Sequence, residues 1–311
     1  MDVQYIDAAR VVVSIGIFAV ASYSDYRTRT IENHVWLIGG VAGSIFLFLH
    51  LFLISSGLIG YILSIFAIAL FFIPYIDLED YGVSETQEFY IELSLYFSLA
   101  FATFFIGIYW FAPENILSMG IVAIQVLIRV FYELNIIHGG ADAKALMLIG
   151  LMFPSYPRIL VLPLFVSEIP LLEQMFPFAL TVLFNAVVWF IFYPLVLLIY
   201  NATRGDLKFP AALFGYKLPL ESVKKKYVWL MEHPVEGKIV FRYSPDKDDD
   251  EGIKEEIIEL EKLGKKDVWV TPQIPFIIPI SVGLVISIIF GNVFFIITGI
   301  SVLHTLLSQA H

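Results

Sequence analysis

Two aspartates sit where hydrophobic chain meets polar chain. Asp25 lies within SDYRTRTIEN (residues 24–33) and Asp142 within HGGADAK (138–144). Ionisable groups in or at the ends of membrane spans are costly to place and tend to mark function. Two carboxylates that share a water divide the work of amide hydrolysis: one accepts a proton from the water and the other donates one to the carbonyl oxygen. Such a pair titrates as a unit, because neighbouring like charges resist joint ionisation. Helix polarity adds an asymmetry. Asp142 opens a helix, whose N-terminus favours an anion, whereas Asp25 ends one. The sequence thus predicts Asp142 as base and Asp25 as protonated acid. Gly139 and Gly140, free to take positive φ, and small Ala141 leave room for close approach of backbone or substrate. Each aspartate taken singly also has a plainer reading, Asp25 as an ion-pair partner of Arg27 or Arg29 and Asp142 as a helix N-cap.

The elements that must position this pair are membrane helices. The chain has 311 residues, 59% hydrophobic and only 15% charged, against roughly a quarter charged in soluble domains. Uncharged apolar runs of about 20 residues cross a ~30 Å hydrocarbon layer as helices. They run from about Ile6 to Ser24, His34 to Ile54, Leu58 to Ile73, Phe89 to Phe111, Ile116 to Phe131, Ala143 to Phe165, Phe178 to Tyr200 and Ile274 to Leu303. The expected fold is an all-α polytopic membrane protein with about eight transmembrane helices. Pro154 and Pro157 interrupt the sixth, which reads as a short helix running into an irregular loop. The eighth exceeds what a bilayer needs. An N-terminus without a basic n-region marks the first span as one that is retained.

Of the 19 Lys and Arg, 13 fall between Asn201 and Gln273, together with 14 of the 29 Asp and Glu. The chain divides accordingly into a membrane domain (1–200) carrying the aspartates, a soluble insert (201–273) and a C-terminal transmembrane helix (274–311). Within the insert, 237–243 and 267–271 read as strands. Ile253, Ile257 and Leu260 recur at helical spacing between them, which makes a small α+β module. The acidic run 246–251 is a solvated turn. Basic residues stay on the cytoplasmic side. Arg27, Arg29, Lys144 and the insert share one side, which places the aspartates and insert in the cytoplasm and the N-terminus outside. Arg10 and Arg158, on the other side, read as snorkelling to the interface. Zero cysteines exclude thiolate metal sites and cysteine nucleophiles, and a net charge of −10 argues against nucleic acid as a partner.

The segment from Asp25 through Arg27, Arg29 and Ile31 to Asn33 resembles the first signature of the prepilin peptidase family. That from Gly139, Gly140 and Ala141 to Asp142 and Lys144 resembles its second, the GxGD-type motif. Residues 260–280 are similar to the C-terminal region of archaeal members that process flagellins and pilins. The resemblance implies a membrane aspartic endopeptidase, with Asp25 and Asp142 catalytic and Gly139, Gly140, Ala141, Lys144, Arg27, Arg29 and Asn33 as supporting motif positions. It implies no metal or cofactor. The implied partners are pilin- or flagellin-like precursors with short basic leaders, cut at the cytoplasmic face. Without cysteines for a zinc loop, or a methyl-donor motif, peptidase activity alone is expected. Ala141 replaces a glycine of the pattern, which requires negative φ there. The alternatives are a presenilin or signal-peptide-peptidase type of intramembrane protease and, in another class, a cation or proton transporter using both aspartates.

Other polar residues carry less. Asp77, Glu79, Asp80, Glu85 and Glu88 form an acidic loop on the aspartates' side, a solvated linker or an attractor of basic leaders. His138 reads as a hydrogen-bonding loop residue, and Lys144 as either a tuner of the pair or a headgroup anchor. Glu133, Glu168 and Glu173 lack a partner at catalytic spacing. Gly39, Gly40 and Gly43 read as a small-residue helix contact.

Overall fold

A computed structural model describes residues 3–78, 82–110, 112, 115–137, 139–167, 169, 172–173, 176–223, 226–235, 237–243 and 250–303. The chain divides into two compact units, 1–187 with 275–311, and 188–274. Among the described residues six helical stretches are long and apolar enough to cross a membrane. These are α1 (Val3–Thr28), α2 (Asn33–Leu53), α3 (Leu58–Phe72, extended by a 3₁₀ turn to Tyr75), α4 (Glu85–Tyr109), α5 (Ile116–Glu133) and the stretch made by α7 (Phe178–Ile191) with α8 (Tyr193–Arg204). The protein is a mostly helical membrane protein with a small sheet region before its last long helix.

The centre of the first unit is α6 (Gly140–Met152), buried without interruption from Ala145 to Met152. Its neighbours can approach because they present glycine. A Cβ on Gly39 would sit 3.1 Å from Leu148 Cδ1, and one on Gly43 3.4 Å from Leu151 Cγ, so this i, i+4 pair admits α6 against α2. Gly40, on another face of α2, makes room for Phe71 of α3. By contrast α4 is covered on little of its length. Phe97, Phe101, Phe104, Tyr109 and Trp110 are exposed on it, as lipid-facing aromatics are.

Two expected spans are shorter than the hydropathy suggests. The sixth stops at Met152, just before Pro154, and the chain continues irregularly to β1 (Phe165–Ser167). The eighth is broken into α12 (Ile277–Phe290), α13 (Val293–Ile297) and β7 (Ser301–Leu303), which pairs antiparallel with β1. The break falls at Gly291, φ +87°, against the Phe165 backbone, where a Cβ would not fit. Side chains satisfy the interrupted helix, as an apolar environment demands. Asn185 donates to Ser287 Oγ (2.8 Å) and the Gly291 carbonyl (2.9 Å) and accepts from the Val293 N–H (3.1 Å). Asn292 caps α13 by accepting from Phe294 N–H at 3.0 Å.

Arg10 does not snorkel. It is 1% exposed, with Nη1 3.1 Å from Asp7 Oδ1 and Nη2 donating to the Phe46 carbonyl at 2.9 Å. Asp7 also accepts from the Arg158 N–H (3.0 Å), and Arg158 pairs with Glu173 at 2.6 Å. A charge without reach to water is held by a partner instead.

In the second unit, β2 (Tyr216–Pro219), β6 (Asp267–Pro272) and β3 (Val228–Leu230) form an antiparallel sheet in the order β2-β6-β3, and β4 (Glu232–Val235) pairs with β5 (Lys238–Phe241) as a hairpin. The helix α11 (Asp250–Lys262) buries Ile257 and Leu260 among Leu218, Leu230, Val268 and Val270. Strand alternation along β6 sends Trp269 to the other face, onto Ala211, Ala212 and Met231. Two short helices, α9 (Ala211–Phe214) and α10 (Leu220–Val223), flank β2. The sequence marks the strands at 237–243 and 267–271 and gives no sign of β2, β3 and β4. Residues 246–249 of the acidic run lie outside the described residues.

Candidate functional site

Asp25 occupies the last turn of α1, buried to 9% exposure. Beyond it the chain reverses over 29–32. Arg29 takes φ +58° and donates its N–H to the Asp25 carbonyl (3.1 Å), while Ser24 and Thr28 hydroxyls donate to the Thr30 carbonyl. The Asp25 Oδ2 accepts the Ile277 N–H at 3.3 Å. That donor is one of the first amides of α12, which lacks an intrahelical acceptor and carries the positive end of the helix dipole.

Asp142 stands in the first turn of α6, after Gly139 at the N-cap. It is close enough to Asp25 for that carboxylate's charge to act on it. The structure thus brings both aspartates to one end of the same unit, 117 positions apart in the chain. Asp142 lies outside the six apolar spans. Burial first, and the Asp25 charge second, push its carboxyl from the ordinary 3.8 up to about 7. That rise corresponds to about 4 kcal/mol in favour of the protonated form. A helix N-terminus offers an anion only about 0.3–1 kcal/mol. The dipole argument for Asp142 as base is therefore outweighed. Asp25 accepts the Ile277 N–H, a donor that Asp142 lacks among the described residues.

The glycines work differently from expectation. Gly139 has φ −96°, and Gly140 and Ala141 lie in right-handed helix. The negative φ at Ala141 makes the missing glycine immaterial. What Gly139 supplies is space: a Cβ there would lie 2.9 Å from Asp142 Cγ and closer still to Oδ2. A Cβ on Gly140 would meet nothing nearer than Tyr132 Oη at 3.7 Å.

Lys144 and Asn33, one from each motif, meet directly. Lys144 Nζ donates to Asn33 Oδ1 at 2.9 Å and lies 4.8 Å from the Tyr75 ring centroid. It neither anchors at headgroups alone nor touches the carboxylates; it joins the start of α2 to the start of α6. Arg27 is exposed and stacks on Tyr23, 5.4 Å from the ring centroid. His138, Glu79, Asp80 and Glu168 lie outside the described residues.

Beside Asp142 is a feature not anticipated. Arg129 of α5 pairs with Glu92 of α4 (2.8 Å) and Glu133 (2.7 Å), and with Lys144, Tyr132, Pro74 and Gly140 it lines a cavity of about 240 Å³. Glu92 is a lone acid within an apolar run, so neither spacing nor motif singled it out. Glu133 and Glu173, expected to lack a partner at catalytic spacing, each form an ion pair with an arginine. Of the acidic loop, Glu88 accepts from the Leu78 N–H at 3.3 Å. A larger cavity, about 330 Å³, lies between Ile116, Phe153 and Arg158 and has neither aspartate in its wall.

Fold and site together define a polytopic membrane protein in which two aspartates lie at one end of its first unit. Residues 207–293 match the family described as archaeal peptidase A24 C-terminus, type II. The chain is 25% identical over 280 residues to a preflagellin peptidase of Methanococcus maripaludis, covering 88% of this chain and 91% of that one. It is 31% identical over 163 residues to the preflagellin peptidase of Methanococcus voltae, covering 50% of this chain and 64% of the relative. With that of Methanocaldococcus jannaschii it is 29% identical over 161 residues, covering 50% and 63%. These matches support the archaeal prepilin/preflagellin peptidase family, as the resemblance of the two motifs implies.

Proposed function

We propose that the protein is a membrane aspartic endopeptidase that removes a short leader from pilin- or flagellin-like precursors at the cytoplasmic membrane face. The convergence of Asp25 and Asp142 carries this reading, and similarity to preflagellin peptidases supplies the substrate class. Asp25, ionised, takes a proton from water as the water oxygen bonds to the scissile carbonyl carbon. Asp142, protonated, gives its proton to the carbonyl oxygen. The resulting diol collapses as the C–N bond breaks, Asp25 returning a proton to the leaving amine and Asp142 recovering one from a diol hydroxyl. No covalent intermediate forms, and both carboxyls end as they began.

The position of Asp25 in the last turn of α1 favours cleavage at a membrane edge over cleavage within an apolar segment. Arg27, Arg29 and Lys144, together with the concentration of basic residues in 201–273, favour a cytoplasmic orientation, with 201–273 a soluble domain and the N-terminus outside. The test is reconstitution with a candidate precursor and sequencing of the new N-terminus. Asp25→Asn and Asp142→Asn should each lower the rate by at least about 10²–10⁴-fold while the protein stays folded. Cleavage that survives either change overturns the reading, a cut inside the apolar segment favours the intramembrane type, and ion flux with no cleavage at all favours a transporter.

A further inference from the structure

The second unit presents an unpartnered amphiphilic surface beside the end of a membrane helix. On α8, Leu195, Val196 and Ile199 are exposed, the pattern of a helix turned to lipid. Its last turn carries Tyr200 and Arg204, with Arg204 Nη1 donating to Tyr200 Oη at 2.7 Å, a pairing suited to the headgroup layer. Three to five residues on, Leu207 and Phe209 are 62% and 77% exposed, with exposed Lys208 between them. The Lys208 Nζ lies 4.1 Å from the Phe241 ring centroid, the Phe241 and Tyr243 rings meet at a tilt with centroids 5.1 Å apart, and Tyr243 meets Phe214 edge to face at 6.3 Å. The loop 207–210, α9 and the end of β5 therefore form one surface. It cannot swing freely from α8, because Asn201 donates from its side-chain amide to the Ala212 carbonyl (3.0 Å) and the Gly215 carbonyl (2.7 Å), and Leu198 packs onto the Trp269 face of the module.

We infer that this surface seats in the bilayer, with Leu207 and Phe209 at the acyl boundary, Phe214 and Tyr243 at headgroup level and Lys208 on anionic lipid phosphate. Three observations select lipid as occupant: the surface follows the apolar, exposed helix α8 directly in the chain, it is tied to that helix through Asn201 and Leu198, and its cation between apolar tips matches a negatively charged interface. The module is then a membrane-lying body, held flat at two points rather than tethered at one. This seat is independent of the proteolytic reading.

The absence of cysteine permits a direct test. A single cysteine placed at Leu207→Cys, Phe209→Cys or Glu221→Cys is labelled with an environment-sensitive fluorophore in the full chain, in vesicles of neutral lipid or with about one third anionic lipid. Glu221 follows β2, at the strand end away from α9. Probes at 207 and 209 should be quenched by headgroup-labelled lipid at least about threefold more strongly than the probe at 221. Anionic lipid should strengthen the quenching, and Lys208→Glu should abolish that increment. Two positions guard against one variant misfolding. Equal quenching at 207, 209 and 221 overturns the seat and leaves the surface to water or to another protein.

Discussion

The sharpest consequence of the site geometry is that one methyl group at residue 139 should separate activity from stability. The backbone at Gly139, φ −96° and ψ 124°, is one that alanine adopts without strain. Replacing glycine at such a position stabilises a fold by about 0.4–1 kcal/mol through the unfolded chain. The added Cβ would lie 2.9 Å from Asp142 Cγ, where carbon atoms settle at about 3.5–4.0 Å. The carboxyl must retreat by roughly 1 Å, and misplacement of that size lowers a rate by about 10²-fold, or roughly 3 kcal/mol in the barrier. Gly139→Ala should therefore cleave precursor about a hundredfold more slowly while its melting temperature holds or rises. Gly140→Ala, whose Cβ has 3.7 Å of clearance, should lose at least about tenfold less. Initial rates on a reconstituted precursor and thermal unfolding in the same detergent measure both. Equal losses in the two variants, or a full rate in Gly139→Ala, would refute the idea that Asp142 acts from the position described.

Further expectations concern charge. If Asp142 works protonated, with its carboxyl raised to about 7, cleavage should be sustained below that pH and fall as pH climbs through it. In Asp25→Asn, which removes the neighbouring negative charge, infrared titration should find the Asp142 carboxyl ionising at lower pH than in the parent, though still above 3.8 because burial persists. Lys144→Ala and Asn33→Ala should each slow cleavage, and a double-mutant cycle should return a coupling of about 0.5–1.5 kcal/mol for the bond they share. Additive effects would deny that the bond links the motifs. Arg10→Met should lower stability by about 3–5 kcal/mol by stranding Asp7, and Asp7→Asn added to it should recover much of the loss in thermal unfolding.

Much of the architecture was legible in the chain because lipid imposes a simple rule. A run such as 34–54 has no alternative to helix. The convergence of Asp25 and Asp142 was legible for the same reason, since an even number of crossings returns the chain to the same face. What hydropathy conceals is where an apolar run stops being one helix. Gly291 interrupts 274–303 because Phe165 comes against it, a contact between segments 126 positions apart that no local pattern announces. The Ile277 N–H on Asp25 was equally hidden, since a backbone donor leaves no trace in residue type. Arg10 was read as an interface residue because its partner's burial depends on Arg158, supplied from a distant loop. Gly139 was singled out for the right residue type and the wrong reason: volume beside a carboxyl, not dihedral freedom, distinguishes it.

The two helices that bear most directly on the carboxylates, α6 with 13 residues and α12 with 14, are each only about 20 Å long. Both start at the carboxylate end, so what they lack of a ~30 Å hydrocarbon layer falls at their opposite ends, where the chain continues irregularly and β1 pairs with β7. The carboxylate end of the unit is thereby built from regular helix termini, and the irregular backbone is confined to the far end.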